Sequence, residues 1–205
     1  MTVDQSSNAA TTDEYTLADP SAINPFTPKY ITHCKISMSA TGKNLQFFYN
    51  NTMPDTAAGT SIDQYLKGLI PPSADPLVDF LIDRRPSPLD VEIMSPGYVI
   101  FELDPSWNWQ LRTDAGGVTT KDDLGDRYFD LRHVTETGTI LNGNQTNSAK
   151  CRIAYFSARV PTTADKTSDD YINLHIEFPH QDGDTVLSIK IDPDIKNNGG
   201  QGLGG

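Results

Sequence analysis

The sequence predicts a mainly β protein, a two-sheet antiparallel sandwich of jelly-roll type with one or two short helices. Three observations predict it. Apolar side chains recur at every second position in several separate segments, which is the pattern of a strand with one buried face. Those segments are short and bounded by Pro- and Gly-rich turns, the usual signature of two sheets packed face to face. No fixed period marks a solenoid or a propeller. At 205 residues the chain suffices for one domain with its own core.

Residues 1–28 are rich in Ser, Thr, Ala and Asp and carry Pro20, Pro25 and Pro28 near their end. Such a segment buries too little to offset its ordering entropy, so it reads as a polar arm, flexible unless a partner orders it. A single β domain is expected over 29–196, followed by a flexible Gly-rich tail over 197–205. In YITHCKISM (30–38), Tyr30, Thr32, Cys34, Ile36 and Met38 alternate with Ile31, His33, Lys35 and Ser37, and NLQFFYNN (44–51) follows a turn, so 30–51 predicts a hairpin. In SIDQYLKGLI, Ile62, Tyr65, Leu66 and Leu69 repeat at helical spacing, Ser61 with Gln64 forms a capping box, and Pro71-Pro72 ends the run. DPLVDFLIDRRP (75–86) reads either as a second short helix capped by Asp75 or as a buried strand, with the helix preferred. SPLDVEIMSPG gives a short strand entering a turn.

From Val99 to Leu111 the odd positions read Val, Phe, Leu, Pro, Trp, Trp, Leu and the even positions from 102 are polar. The phase runs through Asp104-Pro105, so Trp107 and Trp109 belong with the buried face, and Pro105 marks a bend, bulge or edge. TDAGGVTTKDDLGD (113–126) is expected as loop, RYFDLRHVT as strand, and ETGTILNGNQTNSAK as a polar hairpin connection. CRIAYFSARVP (151–161) is apolar on both sides and predicts a central strand. YINLHIEF and TVLSIKI alternate cleanly around PHQDGD and predict a hairpin.

Composition narrows function. Asp plus Glu total 27 against 16 Lys plus Arg, a net charge of −11, which repels nucleic-acid backbones and anionic lipid. Neither nucleic acid nor membrane is expected as a partner. No apolar run reaches membrane-span length, and the first twenty residues have neither a basic start nor an apolar stretch. Cytoplasm is the expected location. Asn50-Asn51-Thr52 and Asn144-Gln145-Thr146 are then chance matches to the glycosylation pattern. The phosphate-binding glycine loops are absent, as are the nucleophile-elbow and zinc-protease motifs. Cys34 and Cys151 have no metal-ligand spacing and are not expected to pair.

Three readings of function remain. The first is a non-catalytic interaction or self-assembly module whose long polar ends reach a partner copy, so self-association through the termini is expected and catalysis is not. The second is a small-ligand or carbohydrate binder, with Trp107, Trp109, Tyr98 and Tyr128 as an apolar floor and Asn108 and Arg112 meeting hydroxyls. The third is a metal-assisted enzyme of unfamiliar type built on His33 and His175. No cofactor is expected beyond a calcium ion at Asp122, Asp123, Asp126 and Asp130, where four acids fall within nine residues. A solvated acidic turn is the preferred account of that cluster.

Overall fold

Alternating apolar positions become strands throughout the part of the chain that the computed structural model describes, residues 14–17, 28, 30–52, 62–69, 81–82, 89–93, 95–143, 149–160, 167–179 and 186–198. Strands are numbered β1 to β14 along the chain. One seven-stranded sheet runs β1 (Tyr15–Thr16), β8 (Val118–Thr120), β12 (Thr167–Pro179), β14 (Asp194–Asn198) and β5 (Val91–Ile93), and β7 (Gln110–Leu111) and β13 (Val186–Ile191) also pair with β12. The second seven-stranded sheet runs β10 (Ile140–Asn142), β9 (Tyr128–Thr135), β11 (Cys151–Ala158), β6 (Gly97–Leu103), β2 (Tyr30–Met38), β3 (Leu45–Thr52) and β4 (Leu81–Ile82). One α-helix, α1 (Ile62–Gly68), and a 3-10 turn at Thr113–Ala115 complete the described elements. None of the described helices is long and apolar enough to cross a membrane.

The protein is mainly β, and both sheets are mixed. β2 pairs with β6 in parallel, and β14 with β5; every other pairing is antiparallel. This corrects the expectation of purely antiparallel sheets. Alternation encodes which face a strand buries, not the direction of its neighbour, and a parallel pair needs a long crossover. The crossover from β2 to β6 carries β3, α1, β4 and β5. The expected hairpins form as β2–β3, from Ile31 opposite Thr52 to Met38 opposite Leu45, and as β12–β13, from Leu174 opposite Ile191 to Pro179 opposite Val186.

A single apolar cluster draws on both sheets, with Cys34, Ile36, Phe101 and Phe156 from one and Val118, Ile172, Leu174, Ile176 and Ile195 from the other, all at or below 1% exposure. A second cluster lies on the opposite face of the second sheet, where Ile31, Ile100, Val134, Ile153 and Tyr155 meet Leu66 of α1, with Ile62, Tyr65 and Leu69 beside it. Seven residues make too short a helix to stand alone in water, so packing against the sheet holds α1. Burying Leu66 contributes about 2 kcal/mol of that. α1 packs over part of that face of the second sheet, and Ile31, His33, Lys35 and Ser37, the polar side of β2 by alternation, are all buried.

Other elements depart from the expected boundaries. Leu81–Ile82 form β4 against β3 instead of a second helix; the rest of 75–86 lies outside the described residues. The expected loop 113–126 contains β8, and the expected connection after Thr135 contains β10, paired back on β9. The strand expected from Val99 to Leu111 divides at Pro105. β6 ends at Leu103 in one sheet, the chain turns through residues 104–109, and β7 begins in the other sheet. Glu14 to Leu17, within the expected arm, seat β1 on β8, and Leu17 is buried. The remainder of the arm, residues 180–185, and 199–205 of the tail lie outside the described residues.

Candidate active site

The face of the second sheet beneath α1 gathers ionisable side chains that solvent does not reach. In the β2–β6 register Lys35 stands opposite Glu102 and His33 opposite Ile100, so both side chains flank one carboxylate. His33 Nε2 lies 2.8 Å from Glu102 Oε2, and Lys35 Nζ 3.2 Å from Glu102 Oε1. The side chains of His33 and Lys35 are 0% and 1% exposed, that of Glu102 8%. From α1, Tyr65 Oη meets His33 Nδ1 at 3.0 Å. Gly97 lets the two strands start this close together, since a Cβ there would fall 2.4 Å from the Tyr30 carbonyl oxygen.

Burial alone would raise the pKa of Glu102, but the hydrogen bond and charge of His33, together with those of Lys35, outweigh it and hold the carboxyl below its ordinary value. Two residues on, Ser37 Oγ donates to Asp104 Oδ2 at 2.6 Å and the Ser106 N–H to Oδ1 at 2.9 Å. Burial works against ionisation there too, and these bonds with the Lys35 charge overcome it. Removing charges from water is costly and seldom a net source of stability. A buried carboxylate held by a buried lysine and a buried histidine, at the edge of a cavity, is the arrangement expected of a functional site.

That cavity, about 280 Å³, opens beside Glu102 and is also lined by Leu69, Val134, Thr135, Glu136, Arg152 and Ile153, among others. Arg152 reaches it because the β9–β11 register shifts between Cys151 and Ile153. A bulge of this kind re-aims a side chain, here on the strand where strict alternation would turn Arg152 away from Ile153. Arg152 Nη2 lies 2.6 Å from Glu136 Oε1, and Lys150 Nζ lies 3.4 Å from the same oxygen. The Arg152 Nε–H is buried with no acceptor among the described residues.

Of the residues singled out by sequence, His33 is part of this site and the others lie elsewhere. Trp109 is fully buried in the shared core, donates its indole N–H to the Asp104 carbonyl at 2.7 Å and packs on Phe178 with ring centroids 5.5 Å apart. Trp107 is half-buried against the same core. Tyr128 is likewise 0% exposed and donates to Asp170 at 2.6 Å, within a network holding Arg127 and Asn197. Burial, and then the Asp170 carboxylate, push its pKa upward. Tyr98 lies on the α1 side of the second sheet, edge-on to Tyr155. Asn108 is exposed and accepts from Lys150 at 3.0 Å, while Arg112 pairs with Asp114. These six do not form one binding floor, because the alternation that put the aromatics in phase with Val99 and Leu103 also sent Trp109 into the core.

Asp122, Asp123 and Asp126 are exposed on the loop before β9, and Asp130 pairs with Arg132 at 2.6 Å. Among the described residues no group of three or more His, Cys, Asp or Glu converges to hold a metal ion, so the calcium cluster does not assemble there. His33 and His175 belong to different sheets. His175 lies on the face of β12 turned from the core, 3.0 Å from Glu14 and from Thr119 Oγ1. Both contacts fall on Nε2, so that group is a hydrogen-bonded triangle without a relay geometry. Cys34 and Cys151 are free buried thiols, and burial pushes Cys151 up to about 11, which leaves it un-ionised and a poor nucleophile.

Residues 72–200 match the family model pNTSase1, described as a predicted novel nucleotide synthetase. No curated protein and no solved structure matches the chain. The matched stretch runs from β4 through β14 and includes Glu102, Asp104, Glu136 and Arg152; His33, Lys35 and Tyr65 precede it. An enzymatic description overturns the expectation of a non-catalytic interaction or self-assembly module. Motif searching missed this because the ionisable groups come from strands far apart in sequence and form no contiguous pattern.

Proposed function

The chain belongs to the family of predicted novel nucleotide synthetases, and from that premise we propose that it makes a nucleotide at the cavity beside Glu102. The observation that carries the assignment is the ionised Glu102 carboxylate on the cavity wall, fixed from behind by Lys35 and His33. In this reading Glu102 is a fixed acceptor for a substrate N–H or hydroxyl, and its depressed pKa suits it to hold charge more than to carry a proton. Arg152 supplies the opposite polarity from the facing strand. Lys35 and His33 position Glu102 without touching substrate, and α1 keeps bulk water from the pair. The net charge of −11 disfavours a polynucleotide but not a single nucleotide held by local groups.

The two sheets are read as the layers of a sandwich, supported by the apolar cluster that takes members from both; the parallel β2–β6 and β14–β5 pairs set it apart from an all-antiparallel jelly roll. A reducing compartment, the cytoplasm, fits two free thiols.

Incubating the purified chain with nucleoside triphosphates and resolving products by mass spectrometry tests the activity. Turnover by the native chain, lost in Glu102→Gln and in the cavity-filling Leu69→Trp while circular dichroism stays native, is the expected result. Turnover that survives Leu69→Trp unchanged would place the chemistry elsewhere.

A further inference from the structure

We propose that the cavity beside Glu102 receives the nucleoside end of the substrate and leaves the phosphates outside, an inference that rests on reading the chain as a nucleotide-making enzyme. Charge points this way first. Lys35 and Lys150 pair with Glu102 and Glu136 from outside the cavity, and the lining itself carries those two carboxylates against one guanidinium, which already gives Nη2 to Glu136 at 2.6 Å. A phosphate at pH 7 brings one to two negative charges of its own and would sit against both carboxylates.

The same groups suit a base and sugar. Carboxylates accept from exocyclic amino groups, ring N–H groups and ribose hydroxyls. Arg152, on the cavity wall, is a donor for a ring nitrogen or a base carbonyl. Leu69, Val134 and Ile153 belong to or border one apolar cluster and offer surface to a planar ring. A space of about 280 Å³ is at the small end of small-molecule sites. That suits one nucleoside better than a nucleoside with an extended triphosphate.

Calorimetric titration of the full chain with the four ribonucleosides, their triphosphates and inorganic pyrophosphate tests the assignment. At least one nucleoside is expected to bind within about tenfold of its triphosphate, and pyrophosphate is expected not to displace it. Leu69→Trp, which fills the cavity while keeping Lys35 and Glu102 themselves, is expected to weaken that nucleoside by tenfold or more, and Arg152→Met by about tenfold for one lost charge-assisted bond. If triphosphates and pyrophosphate compete for one site while nucleosides do not bind, the cavity holds phosphates; this inference is overturned and the enzymatic reading stands. Nucleoside binding untouched by Leu69→Trp also overturns it. If neither nucleosides nor triphosphates bind, the enzymatic reading fails and takes the inference with it.

Discussion

Lys35 stands directly opposite Glu102 across the parallel β2–β6 pair, its ammonium 3.2 Å from the carboxylate and its side chain 1% exposed. Glu102 also meets His33 Nε2 at 2.8 Å and borders the cavity. Breaking such a pair from one side leaves an uncompensated buried charge, whereas replacing both members by apolar groups often costs little. Glu102→Leu, which leaves the buried Lys35 ammonium without its carboxylate, is therefore expected to destabilise the fold by about 3 kcal/mol. The double variant Lys35→Met/Glu102→Leu is expected to recover a large part of that loss. Urea unfolding of the two single variants and the double closes the cycle; additive losses would mean that the pair is not coupled.

His133 gives the fold a separate sensitivity to acid. It is 1% exposed, its two ring nitrogens have no hydrogen-bond partner among the described residues, and burial lowers its pKa to about 4. The unfolded chain takes up this proton near 6.5 and the folded chain only near 4. Between those values the unfolded state binds more protons, so stability is full above 6.5 and falls as the pH drops towards 4. The loss is on the order of 3 kcal/mol. Below that window the lowered carboxyl of Glu102 begins to protonate, and its contribution, present above the ordinary carboxylate pKa, is lost as well. Urea midpoints at closely spaced pH values are expected to fall through the histidine window in the native chain and to flatten there in His133→Leu.

The two tryptophans differ in burial and should differ in cost. Trp109→Ala removes a fully buried indole and its bond to the Asp104 carbonyl and is expected to cost about 3–5 kcal/mol. Trp107→Ala, at a half-buried position, is expected to cost clearly less. Acrylamide quenching of single-tryptophan variants checks the difference independently: Trp109 emission should resist quenching that reaches Trp107.

Tyr65→Phe removes the contact of Tyr65 Oη with His33 Nδ1, at 3.0 Å, that ties α1 to β2. The loss is expected to be about 1 kcal/mol in stability, with faster amide exchange confined to α1 if that contact helps hold the helix on the sheet.

Much of the fold was readable in short segments. Leu174 and Ile176 alternate with Asn173 and His175 so regularly that the core face of β12 follows from the letters alone, as does the cap-and-stop pattern around α1. The site was not readable, for a physical reason. His33 and Lys35 are polar, and on an isolated half-buried strand a polar face means solvent. Here α1, some thirty residues further on, packs over part of that face. Lys35 and Glu102 meet across 67 residues of sequence, and Arg152 arrives through a bulge that alternation does not encode. One signal was present: Glu102 follows Ile100 on the same face of β6 and is flanked by Phe101 and Leu103. A lone acid within a strand apolar on both sides is a buried acid, and it needs a buried cation.

Whether nucleotides act at Glu102 is decided most directly by hydrogen–deuterium exchange of the full chain with and without a bound nucleotide. Slowed exchange is expected in peptides covering 98–104, 132–136 and 150–154 and in α1. Protection confined to the outer face of the other sheet, around Thr119 and His175, with none over Glu102 or Arg152, would contradict it.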